Sequence, residues 1–335
     1  MSINKIYIYI FSLFLFTSCI DDEVINKNAD PKENFQLLWK TVDENYCFFD
    51  LKEIDWKEIK IKYEKKVTDD MDEKALFAIC SDMLNELKDG HVNLSSDFNT
   101  SRYWDWFTDY PQNFNWGIVE RNYLGKDYII AGKIKARNIN SIGYLRYESF
   151  ENLITSKNTK EIIKQLGPIK GLIIDIRDNG GGYETMVDTL ASSFFDKKTI
   201  VGYIRYKEGP SHSDFSKYFP RYIKRTSDDI YKGEIVVLTN RLVYSSANYF
   251  VSVMSTLPNV TIIGDKTGGG GGAPFSSELY NGWKFRISRD PLFNSNKEYI
   301  ENGIEPDIYV NINPIDESNN TDTIIEYAIN YLLNK

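Results

Sequence analysis

Apolar positions from Phe35 onward recur first with a helical period and later in short, unbroken runs. In "ENFQLLWKTVDENY", Phe35, Leu38, Trp39 and Val42 fall at i, i+3, i+4 and i+7, which predicts a helix with one buried face. "DWKEIKIKYEKKV" predicts a second helix, opened by Asp55 as N-cap and carrying Trp56, Ile59 and Tyr63 on one side. "DEKALFAICSDMLNEL" predicts a third, stopped at Gly90 in "KDGH". Together they predict a small helical unit of about 50 residues, near the lower size limit for an independent domain.

Beyond Val92 the helical period is lost. Up to Asn138 the chain is polar and aromatic, with strand-like pieces such as "DYIIAGKI". From Asn140 strands and helices alternate: "SIGYLRY", then helical "TKEIIKQL", then "GLIIDIR", a continuous apolar strand of the kind buried on both faces. Helical "ETMVDTLASSFF", strand "TIVGYIRY", apolar strand "EIVVLTN" and helical "SANYFVSVMSTL" follow, then "VTIIGD", a glycine run, the strands "SELY" and "WKFRIS", and a terminal helix in "TDTIIEYAINYLL". This alternation predicts an α/β domain with a largely parallel sheet.

In such sheets ligands bind beyond the carboxyl ends of the strands. Two apolar strands end there in unusual sequences: "GLIIDIR" runs into "DNGGGY", and "EIVVLTN" into "RLVYSSANYF". Gly180, Gly181 and Gly182 let backbone N–H groups approach a substrate closely. The helix beginning near Ser245 adds free N–H groups and a positive dipole end. Each feature also has a plain reading: Ser245 or Ser246 as a helix cap, "NGGG" as a tight turn, and His91 as a residue favoured by a helix C-terminus. The glycine loop lacks the spacing of GxxxxGK[ST] and GxGxxG, so a nucleotide is poorly supported.

Composition narrows the field. The chain of 335 residues is 42% hydrophobic and 26% charged, which suits a folded protein with a sizeable core. A formal charge of −8 with no Lys/Arg block argues against nucleic acid as a partner. Two histidines and no His/Cys cluster argue against a zinc site, and nothing calls for another cofactor. Near the N-terminus, "IYIYIFSLFLFTSC" is an apolar run too short for a comfortable membrane span. It resembles a bacterial lipoprotein signal, with Cys19 as the lipidated residue. The expected division is a signal over 1–18, a tether over 19–31, a helical domain over 32–91 and a core over 92–335. The chain is then expected in the cell envelope, anchored by lipid to a membrane, with the outer membrane or surface favoured. Cys47 and Cys80 read as buried small hydrophobes, with a disulfide between them as the alternative.

The ordered set "LKDGHV", "SIGYLRYESF", "GLIIDIRDNGGG", "VVLTNRLVYSSANYF", "IIGDKTGGGGG" and "GIEPDI" resembles the S41 peptidase family, which holds the C-terminal processing and tricorn-core proteases. The resemblance runs from about Phe35 to Val310 and implies an α/β core of the ClpP/crotonase type around a spiral sheet, behind a small helical domain. It implies hydrolysis of peptides or unfolded protein termini. Ser245 matches the nucleophile and Ser246 the residue whose backbone N–H joins an oxyanion hole; Gly181 matches the second donor. Each such donor contributes roughly 3–4 kcal/mol to the transition state in a dry site. The family draws its base from one of two places. The lysine of the processing branch would fall in Gly268–Gly272, where there is none, and Lys266 reads as a surface residue. The tricorn-like branch uses a histidine, and His91 matches it, with an intrinsic pKa suited to a general base. Glu301 matches the carboxylate that supports the histidine, with Glu305 as its competitor.

Three departures stand out: Gly90 where that branch has a serine, Asn248 where the family has a glutamate, and only 92–138 where processing proteases carry a PDZ domain. Substrate selection then falls to the core cleft and to loops such as "KEGPSHSDFSKYFPR", in which His212 reads as a surface or lid residue. The rival readings are a catalytically inactive peptide- or ligand-binding protein on the same scaffold, and a crotonase-like acyl enzyme. The pairing of Ser245, His91 and the glycine loop favours the peptidase over both.

Overall fold

The computed structural model describes residues 30–225 and 230–335. The expected signal, Cys19 and all of the tether but its last two residues lie outside the described residues. The three predicted helices form as α1 (Pro31–Asn45), α2 (Trp56–Glu64) and α3 (Glu73–Asn85), each opened by an aspartate. Asp30, Asp55 and Asp72 accept first-turn backbone N–H groups that have no partner inside a helix. Their apolar faces meet in one cluster, with Phe35, Leu38 and Val42 of α1 against Leu76, Cys80 and Met83 of α3. That cluster is closed by Leu94 of β1 (Asn93–Ser95) and by Phe285 and Ile287 of β12 (Lys284–Phe293), so the helical unit completes its core only against a sheet. Cys47 and Cys80 are buried free thiols.

Two sheets make up the remainder. The first runs in the order β13 (Ile308–Tyr309), β10 (Val260–Gly264), β9 (Glu234–Thr239), β6 (Gly171–Asp175), β5 (Ile142–Arg146), β4 (Ile134–Ile139) and β3 (Ile129–Ala131). It is parallel from β13 to β5 and antiparallel from β5 to β3. Alternation within the apolar runs fills two cores. Ile235 and Val237 of β9 pack with α6 (Ser156–Leu166), α7 (Glu184–Ala191) and α8 (Ser246–Met254). Val236 and Leu238 pack with α10 (Thr323–Leu333) on the other face. A strand covered on both sides has no polar face to show, which is why "EIVVLTN" reads as an unbroken apolar run.

The second sheet is antiparallel, in the order β2 (Thr100–Arg102), β1, β12, β7 (Thr199–Ile204) and β8 (Phe219–Ile223), with β11 (Gly272–Glu278) also paired to β12. The expected largely parallel sheet forms, but not every strand of the alternation joins it. β7 leaves that sheet and pairs with β12 through Leu292↔Ile204 and Phe293↔Tyr203. Its exposed Ile200 beside buried Val201 belongs to a half-covered strand. Two boundaries also move: "DYIIAGKI" spans a hairpin turning at Gly132, and the strand assigned to "SELY" starts earlier, inside the glycine run.

A buried ionic network fixes the end of β6. Asp175 accepts from Arg177 Nη2 at 2.7 Å and from the Tyr144 hydroxyl at 2.7 Å. Arg177 Nη1 reaches Asp322 at 3.0 Å, and Asp322 caps α10. The glycine loop that follows β6 is therefore tied to the opposite face of the sheet.

Candidate active site

Ser245 sits at the turn from β9 into α8 with φ 56 and ψ −124, a left-handed conformation costing a non-glycine residue roughly 1–3 kcal/mol. The strain is held by two bonds: the Ser245 N–H donates to Gly269 O at 2.8 Å, and Ser245 O accepts the Tyr249 N–H at 2.9 Å. The turn lifts the side chain out of the helix and into a cleft of about 680 Å³. His91, 154 positions away and just past α3, places Nε2 3.0 Å from Ser245 Oγ. Its ring is packed edge-on against Tyr244, with centroids 4.9 Å apart, and Tyr244 stacks on Trp106.

Burial pulls the His91 imidazole down to about 4, with Arg286 and Lys52 adding to the shift and Asp89 opposing it. The ring is thus neutral near pH 7, the form that can accept a hydroxyl proton. Asp89 also accepts the His91 backbone N–H at 2.8 Å, which fixes the backbone that carries the ring. His91 Nδ1 is buried and has no hydrogen-bond partner among the described residues.

Glu301 is buried close by, but it is not hydrogen-bonded to His91. Its Oε1 pairs with Lys52 at 2.8 Å and its Oε2 accepts the Gly271 N–H at 2.8 Å. The support expected of Glu301 therefore has no direct path to the imidazole, and the carboxylate of Asp89 is bonded to the His91 backbone N–H. Lys52 lies between the two acids, 3.8 Å from Asp89 Oδ2. Gly90 shows why the serine of the resembling branch has no place here. A Cβ built on it would stand 2.6 Å from Trp106 Nε1 and 2.9 Å from the Tyr244 hydroxyl. Aromatic side chains occupy the space.

Gly181 lies against the serine turn. With φ +100, and with a Cβ there meeting Tyr244 O at 2.7 Å and Ser245 Cβ at 2.8 Å, only glycine fits. Its N–H, the expected second donor, is bonded to Asn179 Oδ1 at 3.0 Å. The Ser246 N–H, at the first position of α8, has no acceptor among the described residues. The Ser246 hydroxyl donates to Gly182 O at 2.6 Å and ties α8 to the glycine loop.

The other residues singled out in the sequence have structural partners. Asn248 is buried, donating to Ile300 O at 2.8 Å and accepting from Thr267 Oγ1 at 2.6 Å. Lys266 pairs with the exposed Glu305 at 2.7 Å, away from Ser245. His212 pairs with Asp43 at 2.9 Å and stacks on Phe49, outside the cleft. Sequence reasoning missed Lys52, Asp89, Tyr244, Trp106, Arg102 and Arg286. Only Asp89 carried a local signal, two positions before His91 in "KDGH".

The profile of Peptidase family S41 matches residues 141–310, and that of the Tricorn protease C1 domain matches residues 27–85. Carboxy-terminal processing protease CtpA of Bacillus subtilis (strain 168) is 27% identical over 172 residues, 50% of this chain and 35% of that protein; the chain therefore spans about a third of this relative's length. A crystal structure from Parabacteroides merdae ATCC 43184, described as a candidate peptidase, is 46% identical with a TM-score of 0.88, covering 91% of this chain and 97% of that one. Mature CPAF complexed with lactacystin shares the fold at 12% identity, with a TM-score of 0.67 over 91% of this chain and 98% of that one. The chain belongs to peptidase family S41.

Proposed function

We propose that this protein is a serine peptidase that cleaves peptides or unfolded protein termini, with Ser245 as nucleophile and His91 as general base. The observation that carries the reading is the 3.0 Å contact of His91 Nε2 with Ser245 Oγ at a strained turn opening into the cleft. Neutral His91 takes the Ser245 proton as Oγ attacks the scissile carbonyl, then returns it to the leaving amine. Burial disfavours the imidazolium formed between those steps, and the charge of Asp89 offsets part of that cost. The tetrahedral oxyanion is held by the Ser246 N–H, with the Gly181 N–H as second donor once the substrate oxygen displaces Asn179 Oδ1. Glu301 acts at a distance, through the charge balance it shares with Lys52 and Asp89. The Cys19 pattern supports a lipid anchor in the cell envelope. Two or more acyl chains would hold the protein on a membrane through a salt wash, and Cys19→Ser would release it.

The test is labelling with a serine-reactive phosphonate and mass mapping of the adduct. Modification at Ser245, lost in Ser245→Ala and strongly slowed in His91→Ala, is the expected result. Labelling elsewhere, or peptide hydrolysis surviving in Ser245→Ala, overturns the assignment.

A further inference from the structure

One wall of the cleft carries a row of three side chains across three strands. Arg102 of β2 is in register with Asn93 of β1, and Asn93 with Arg286 of β12. Directly paired residues project from the same face of a sheet, and all three line the cleft. Two strand spacings separate the arginines, roughly 10 Å at the backbone.

Neither guanidinium makes an ion pair among the described residues. Half-buried Arg286 donates Nε to the His91 carbonyl at 3.2 Å, and its terminal nitrogens have no acceptor among the described residues. The Arg102 side chain is exposed, makes no hydrogen bond among them and lies over the Trp104 ring at 4.9 Å. Two other arginines near the site carry their own counter-ions: Arg221 holds Glu184 at 2.7 Å, and Arg177 holds Asp175 and Asp322. The carboxylates that line the cleft do not supply the missing charge. Glu184 is bound to Arg221, Asp178 accepts from Asn240 at 2.6 Å, and neither they nor Glu151 contact the pair. Arg286 is pulled below its usual range first by burial; Tyr244 and Asp89 oppose that shift and Arg102 adds to it. Two cations without an ion pair on one row, beside the general base, suit an anion that arrives with the substrate.

We propose that Arg102 and Arg286, with Asn93 between them, form a carboxylate-binding subsite for the part of the substrate that leaves first. The proposal rests on the Ser245–His91 reading. His91 protonates the leaving amine, so the segment after the scissile bond runs on the His91 side, and Arg286 is bonded to the carbonyl of that same residue. The carboxylate is either the α-carboxylate of a chain end a few residues past the cleavage point or the side chain of an Asp or Glu there.

Three peptides of one sequence test this: a free C-terminal acid, its amide, and an amide with Asp placed after the scissile bond. For the wild type, kcat/KM is expected to be roughly ten- to a hundredfold higher with a carboxylate present, the scale of a charge-assisted bond to arginine. The advantage should shrink with added salt. A gain for the free acid alone identifies a chain end; a gain for both acidic peptides identifies any carboxylate in reach. Arg102→Gln should reduce the acid-to-amide ratio several-fold, and Arg102→Glu should turn preference toward a peptide with Lys at the Asp position, which a merely structural arginine would not do. Equal rates for acid and amide in the wild type, or a ratio untouched in both Arg102 variants, overturn the subsite. Binding of the same peptides to Ser245→Ala, followed by fluorescence anisotropy, separates the two readings. If hydrolysis survives in Ser245→Ala, the nucleophile is wrong, whereas acid binding no more tightly than amide removes the subsite alone.

Discussion

The protein buries two ionic clusters, one under the glycine loop and one behind His91, and they are built to opposite rules. In the first, two cations, Arg146 and Arg177, meet two anions, Asp175 and Asp322, and the Tyr144 hydroxyl fills a remaining acceptor site. Although burial opposes its ionisation, Asp175 is held below its usual range by Arg177 and Arg146. In the second, Lys52 is the one side chain among the described residues ion-paired with both Asp89 and Glu301. Burial and the neighbouring Asp89 push the Glu301 carboxyl up to about 7, against Lys52 and the Gly271 N–H. A balanced cluster holds a loop in place. An unbalanced one leaves a proton to be gained or lost near neutrality, next to the residue proposed as base.

The sharpest way to break the comparison is Arg177→Met. It leaves Asp175 and Asp322 buried without their shared partner and should cost about 3–5 kcal/mol in urea unfolding. Lys52→Met should cost less, roughly 2–3 kcal/mol, because Glu301 can take up a proton in place of the lost cation. That cost should grow with pH. A Lys52 variant as damaging as the Arg177 variant at pH 6 would erase the distinction between the clusters.

The pH dependence of stability sharpens it further. Glu301 has a folded pKa raised from 4.5 to about 7, so its contribution is fully present below 4.5 and is lost as pH rises through 7. His91 has a folded pKa lowered from 6.5 to about 4, so its contribution is present above 6.5 and is lost as pH falls through 4. The two slopes oppose each other in the overlapping window. Glu301→Gln should therefore unmask a rise of stability from pH 4 to 6.5, and His91→Gln a fall from pH 4.5 to 7, each on the order of 3 kcal/mol. Parallel profiles for wild type and both variants would contradict the assigned shifts. The smallest effect is expected for Ser246→Ala, which loses the 2.6 Å bond to Gly182 O, about 0.5–1.5 kcal/mol, but keeps the backbone N–H. Its kcat should stay within a few-fold of wild type.

Much of the fold was legible because its causes are local. The aspartate caps, the helical spacing of Phe35, Leu38 and Val42, and the apolar runs of β6 and β9 are each visible within a dozen residues. The sheet membership of β7 was not, since it depends on Leu292 and Phe293, almost ninety positions later. Short β1, β2 and β8 were missed for the same reason: a strand of three to five residues is defined by its partners more than by its own pattern. At the candidate site, Ser245 and His91 could be named from ordered motifs. Two partners were not legible there: Lys52, which pairs with Glu301, and Asn179, whose side chain accepts the Gly181 N–H.

The amino-acid order by itself determined where helices begin, which strands are buried on both faces, and that a pair of serines stands at a strand-to-helix turn, because caps, periods and turns act between near neighbours. Tertiary structure alone decided that His91 crosses 154 positions to reach Ser245, that Trp106 and Tyr244 exclude a side chain at Gly90, and that Lys52 takes Glu301 away from the histidine. It also decided the charge states, since the shifts at His91 and Glu301 come first from burial. Desolvation belongs to a place in the folded molecule and to every group packed around it, and no short stretch of sequence contains that place.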